Sequence, residues 1–292
     1  MNGTLFSDGQ ITVFTVLLAI SVLVPIIIFV WYNMKKKAKL ISFFIGCLGL
    51  LLMIGARYLL DMFFVTMIGL GDYLNPDIHP VYTALYAAIV NGLLMALSTR
   101  LILRFAMDGR EGRENALFML IGKAGIYMVM YGAVTELTYM TVGRTVNEMG
   151  MDKYLSSITD ASVRATQKVA VEALATRPVA EVISEGLLQV VIYVLHIALG
   201  VLIYMGAHKS KDVLSDEKLE AIKKEGRDLA WYDKRREGLM SLAVILQVVG
   251  ILPLSFLQVG MATDFALIFL GFDILFTSAI GFVCYTMYKQ LK

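Results

Sequence analysis

Four residues, Asn91, His196, Gln247 and Asp273, have side chains suited to chemistry, and each interrupts a long apolar run. An imidazole and a carboxylate sharing one apolar site can serve as base and acid on a peptide bond. The two amides can orient a bound group or simply join helices by hydrogen bonds. The plainer reading of His196 is a core histidine with its bonds satisfied. Asp273 is harder to dismiss, because a carboxylate inside a membrane must be paired, protonated or facing water. Arg57 and Glu136 are placed to pair with each other, and Arg100 and Lys123 to snorkel toward headgroups. A zinc site requires three or four His, Cys or carboxylate ligands with spacing such as HExxH. The three histidines are His79, His196 and His208, and only His196 falls deep within a run. No Walker A loop, GxSxG or dinucleotide fingerprint occurs, so an ATPase, a hydrolase elbow and a Rossmann enzyme lack support. No metal or other cofactor is expected.

The elements that must carry these residues follow from composition. Apolar residues make up 58% of the 292-residue chain and charged residues 17%, against about 25% charged in a typical soluble domain. That excludes a disordered chain, a coiled coil and a disulfide scaffold, and it points to an integral membrane protein. A net charge of +2 is too small to suggest nucleic acid. Cys47 and Cys284 lie in apolar runs and read as small core residues. The N-terminus lacks the basic region of a cleavable signal peptide.

A crossing helix needs about 20 apolar residues. Seven segments qualify, at 11–32, 41–60, 82–103, 116–140, 184–205, 239–257 and 265–288, and the second has room to continue to Ile68. The expected fold is an all-α, polytopic transmembrane helix bundle of about seven spans, a single domain over residues 1–292. Eighteen Lys and Arg residues fall in the connections on one side and five on the other. By the positive-inside rule the N-terminus is outside and the C-terminus cytoplasmic, in the plasma membrane. Residues 143–183 then form an extracytoplasmic helical loop, with Ser162 as the expected cap of a helix ending before Pro178. Residues 207–238 form a cytoplasmic basic loop. Leu219, Ile222 and Leu229 stand there at helical spacing, Glu220 and Lys224 are spaced as an i,i+4 pair, and Trp231 and Tyr232 beside Lys234, Arg235 and Arg236 suit an interfacial anchor. This stretch reads as a solvated loop, with a partner-docking helix as the alternative.

Two blocks carry a resemblance. The run VPIIIFVWYNMKKKAKLISFFIGCLGLLL resembles the start of the YhfC family, and HIALGVLIYMGAHK resembles that family's histidine-bearing helix. The family is proposed to contain glutamic-type intramembrane proteases, distantly grouped with CAAX prenyl endopeptidases, PrsW and the scaffold subunit of gamma-secretase. The resemblance implies a glutamate pair followed by arginine, then further His and Glu groups, with a carboxylate activating water. Here the pair aligns with Met95 and Ala96, Arg100 keeps the arginine spacing, and Lys123 and Tyr127 stand for a His and a Glu. Gln247 stands for another His, and only His196 is kept.

A glutamic protease without its glutamates has no evident water activator. The expectation is a catalytically inactive relative that binds or scaffolds a transmembrane helix, a hydrophobic peptide or another lipid-like partner through Asn91, His196, Gln247 and Asp273, with membrane lipids around it. The gamma-secretase scaffold is an analogy for that role. Two alternatives remain: an active peptidase with a rearranged centre around His196 and Asp273, and a small permease. Against the permease, the sequence has no internal repeat and no broken helix pair.

Overall fold

The computed structural model describes residues 5–107, 112–226, 228–261 and 263–292. Arg110, Arg227 and the side chains of Trp231, Tyr232, Arg235 and Arg236, part of the basic count and the expected anchor, lie outside the described residues. Seven helical stretches are long and apolar enough to cross a membrane, and they coincide with the seven apolar segments of the sequence. They are α1 (Asp8–Lys35), α2 (Leu40–Met62) with a π turn Phe63–Met67, and α3 (Pro80–Leu101) with a π turn Ile102–Ala106. Next, α4 (Arg113–Met128) runs through a π turn, Val129–Ala133, into α5 (Val134–Met149). The short α6 (Met151–Ser156) and α7 (Ala161–Thr176) lead to α8 (Val179–Ala207). Then follow α9 (Ser210–Val213), α10 (Asp216–Lys224), α11 (Leu229–Gln258) and α12 (Ala266–Tyr288).

Local sequence explains the helix starts. Ser7 and Gln10 form a reciprocal capping box on α1, and Pro80 opens α3 where its missing N–H costs nothing. The cap of α7 is Asp160, not the expected Ser162: its carboxylate accepts from the Ser162 and Val163 amides. The Ser162 hydroxyl, followed by those amides, holds the Asp160 carboxyl below its usual pKa. The shift in position has a simple cause, since only a residue just before the first turn can reach its free N–H groups. The helix does end before Pro178.

Burial ranks the helices. The most apolar windows of the α4–α5 rod and α8 are 67% and 72% buried, against 17–44% for the other five, so these two are the central helices. Around them, α2 packs on α4, α12 on α8, α11 on α3 and α8, and α1 on α4, α5 and α8. The α2–α4 crossing is the tightest. A Cβ at Gly46 would meet the Met119 carbonyl oxygen and the Lys123 nitrogen, and one at Gly122 would meet the Phe43 carbonyl oxygen. Backbones approach this closely only where side chains are absent, the usual device for joining helices in lipid. At one end of the bundle, Ile222 of α10 is buried in the core, with Leu219 and Leu229 packed against it. Glu220 and Lys224 stay exposed.

Candidate functional site

Polar groups from α3, α4, α8 and α11 converge in the middle of the bundle. Lys123 of α4 is 1% exposed. Its ammonium donates to the Met95 carbonyl oxygen at 2.8 Å and to Ser98 Oγ and Thr99 Oγ1, both at 2.6 Å. Three donors meet three neutral acceptors, which matches the hydrogen-bonding capacity of an ammonium group. The expected snorkelling of Lys123 therefore does not occur: α2 and α3 close over the side chain, and α3 supplies the acceptors that water would otherwise provide. One turn along α4, the Tyr127 ring stands edge-on to His196 with centroids 4.5 Å apart, and Tyr131 lies 4.6 Å beyond it. Gln247 Nε2 donates to His196 Nδ1. That bond leaves the proton of the neutral ring on Nε2, which is buried and has no partner among the described residues. Met95, Lys123, Tyr127, His196 and Gln247, scattered along the sequence, thus share one buried region.

The other two expected site residues lie apart from this group. Asn91 Oδ1 accepts from Arg57 at 2.8 Å. Arg57 is held by Asp61 at 2.7 Å and lies over the Tyr86 ring, while the Tyr86 hydroxyl donates to Asp61. This corrects the expected Arg57–Glu136 pair: Asp61 is one turn away on the same helix, whereas Glu136 belongs to α5. Asp273 of α12 is 1% exposed, and neither carboxylate oxygen has a partner among the described residues. Thr277, one turn further on, also has an unpartnered hydroxyl. His196 and Gln247 are therefore bonded, Asn91 is tied to Arg57, and Asp273 stands without a bond to any of them. His79 caps α3, and His208 Nδ1 lies 2.9 Å from the Tyr204 carbonyl oxygen at the end of α8.

A second polar cluster escapes the sequence reading. Arg177 Nε donates to Glu181 Oε1 at 2.7 Å, and its NH2 group donates to Glu185 Oε2 at 2.6 Å. Both glutamates are buried, and so is Glu136, whose Oε2 has no partner among the described residues. The signal was present in the Arg-x-x-x-Glu-x-x-x-Glu spacing: Glu181 and Glu185 stand one turn apart on α8, and Arg177, in extended backbone just before that helix, reaches both carboxylates. Starting the fifth span at residue 184 hides it by splitting the three residues between loop and membrane.

Metal ligation is limited by the donors. Among the described residues, no three His, Cys, Asp or Glu side chains gather where they could hold a metal ion. Comparison with curated proteins and with solved structures returns no match. A family model does match, over residues 20–215. The match runs from within α1 past the end of α9, takes in Met95, Lys123 and His196, and stops before Gln247 and Asp273. It extends over most of this multi-pass membrane chain, which therefore belongs to the YhfC intramembrane metalloprotease family.

Proposed function

We propose that this member of the family does not cleave peptide bonds and instead holds a transmembrane helix, a hydrophobic peptide or a similar lipid-like partner. The observation that carries this reading is the Lys123 ammonium, buried against Met95, Ser98 and Thr99 beside His196. A metalloprotease needs several anionic or imidazole ligands and an open position for water. The residues here do not fit a resident metal. One imidazole, one amide and the Lys123 amine, already bonded to three acceptors on α3, make up the centre, and the Asp273 carboxylate is bonded to neither His196 nor Gln247. Among the described residues no carboxylate bonds Lys123 to activate water. His196 then has a structural task, joining α8 to α11 through Gln247.

A second reading has one observation in its favour: among the described residues, His196 Nε2 and both Asp273 oxygens are buried without partners, as acid–base groups would need to be. An assay separates the two. Transmembrane peptides presented in liposomes are expected to remain intact with the wild-type protein and with a His196→Ala variant. General acid–base groups contribute about 10²–10⁴-fold each, so the absence of several leaves no useful rate. Cleavage by the wild type that vanishes in His196→Ala would overturn the binding reading and promote a His196–Asp273 peptidase.

The orientation proposed is N-terminus outside and C-terminus cytoplasmic, in the plasma membrane. Support comes from the asymmetry of eighteen basic residues against five. In a background with Cys47 and Cys284 replaced by alanine, an impermeant thiol reagent added from outside is expected to label a cysteine at Ser157 and to spare one at Glu220. Both positions are exposed. Labelling of the second and not the first would reverse the assignment.

A further inference from the structure

A groove of about 540 Å³ runs down the side of the bundle between α1 and α12, with α8 as its floor. Ile197, Ala198 and Val201 line the floor, and Ile28 and Gly281 line opposite walls. The groove is apolar along its length and becomes cationic at the end of the bundle that carries α10, where Lys36, Arg113 and Lys289 line it. Arg113 also lines a neighbouring polar cavity of about 320 Å³ with Lys37, Glu114 and Asn115. The apolar groove and the polar cavity thus meet at one residue, Arg113.

The positive charge at this junction is only partly matched. Lys36 pairs with Glu114 at 3.3 Å. Arg113 donates to the Leu291 carbonyl oxygen at 2.7 Å and lies over the Tyr288 ring, and the Lys289 ammonium lies 4.4 Å from the centroid of the Tyr285 ring. Among the described residues neither Arg113 nor Lys289 has a carboxylate partner. Trp31 and Tyr285 line the same end and are exposed. Tryptophan and tyrosine favour the level of the headgroups, which puts the cations where a lipid phosphate lies and the groove where its acyl chain lies.

We propose that this groove is a binding site for an anionic phospholipid, with an acyl chain along α8 and the phosphate at Arg113 and Lys289. None of its residues belongs to the buried Lys123–His196 centre, so the site stands whether or not the binding reading of that centre holds. Guanidinium and ammonium groups are the usual partners of phosphate oxygens. A protein helix is a poorer fit, because the groove ends in unmatched cations that an apolar helix would bury.

Trp31 supplies the readout, since the chain has only two tryptophans and a Trp231→Phe background leaves Trp31 alone. The protein is placed in vesicles that contain either brominated phosphatidylglycerol or brominated phosphatidylcholine at equal mole fraction, and quenching of Trp31 is compared. Enrichment of the anionic lipid over the zwitterionic one is expected at about fivefold or more, a scale set by the attraction of one basic residue to an anionic surface. Arg113→Gln with Lys289→Gln is expected to abolish the preference. Gly281→Phe fills the groove while leaving every cation in place. A Cβ at Gly281 meets no atom within 4 Å, so an unchanged unfolding temperature is expected and confirms that the fold is intact. In this variant too the preference is expected to disappear. Equal quenching by both lipids in the wild type overturns the proposal, as does quenching by neither, the result a seated protein helix would give. A preference that survives Gly281→Phe overturns it as well, because it would reflect only the general attraction of a basic surface.

Discussion

Replacing Arg177 with alanine is expected to destabilise the fold by about 3–5 kcal/mol, the range for removing one partner of a buried ion pair. Arg177 is the cation that holds Glu181 and Glu185, whose side chains are 4% and 7% exposed. Burial by itself lowers the basicity of the guanidinium, but the Glu185 and Glu181 carboxylates outweigh it and raise the pKa overall. Without Arg177 two buried carboxylates face each other, with Glu136 close enough to interact electrostatically with Glu185. Lysine is a weak substitute, because a single ammonium lacks the planar fork that reaches two carboxylates at once. The measurement is thermal unfolding in detergent, with a fall on the order of 10 °C expected for Arg177→Ala. A variant carrying Arg177→Met, Glu181→Gln and Glu185→Gln removes all three charges together and is expected to recover most of the loss. An Arg177→Ala protein that unfolds at the wild-type temperature would show that the cluster carries no such energy.

Gly46→Val is expected to disrupt the α2–α4 interface and sharply reduce the yield of folded, monodisperse protein. Overpacking costs about 1–3 kcal/mol where side chains can adjust. Here the added carbon meets the backbone of Met119 and Lys123, so the helices themselves must separate. The separation also reaches the buried centre, since Lys123 would be drawn away from its acceptors on α3. Gly55→Val on the same helix is the control. A Cβ there meets nothing within 4 Å, and a surface change of this kind is expected to stay within about 0.5 kcal/mol. Equal unfolding temperatures for the two variants would rule out the close approach of α2 and α4.

The seven crossing helices were legible in the sequence because the bilayer sets a length and a polarity that a single segment must satisfy by itself. Runs such as 11–32 and 184–205 meet that condition without reference to any other part of the chain. The two blocks around residues 24–52 and 196–209 were enough to suggest the family that the match over residues 20–215 establishes. What each polar side chain does was not legible to the same degree. Lys123 looked like a snorkelling lysine because its acceptors, Met95, Ser98 and Thr99, lie on another helix. Arg57 was assigned to Glu136 by depth alone, while azimuth around the helix and the nearby Asp61 decided otherwise. Periodicity gives the height of a residue in the membrane, and only helix packing gives its direction and its neighbours. Packing bonded His196 to Gln247, left Asp273 without a partner among the described residues, and gathered Arg177, Glu181, Glu185 and Glu136 into one cluster. The groove between α1 and α12 has no sequence signature at all, because its walls and floor come from helices far apart in the chain and brought together only by their packing on α8.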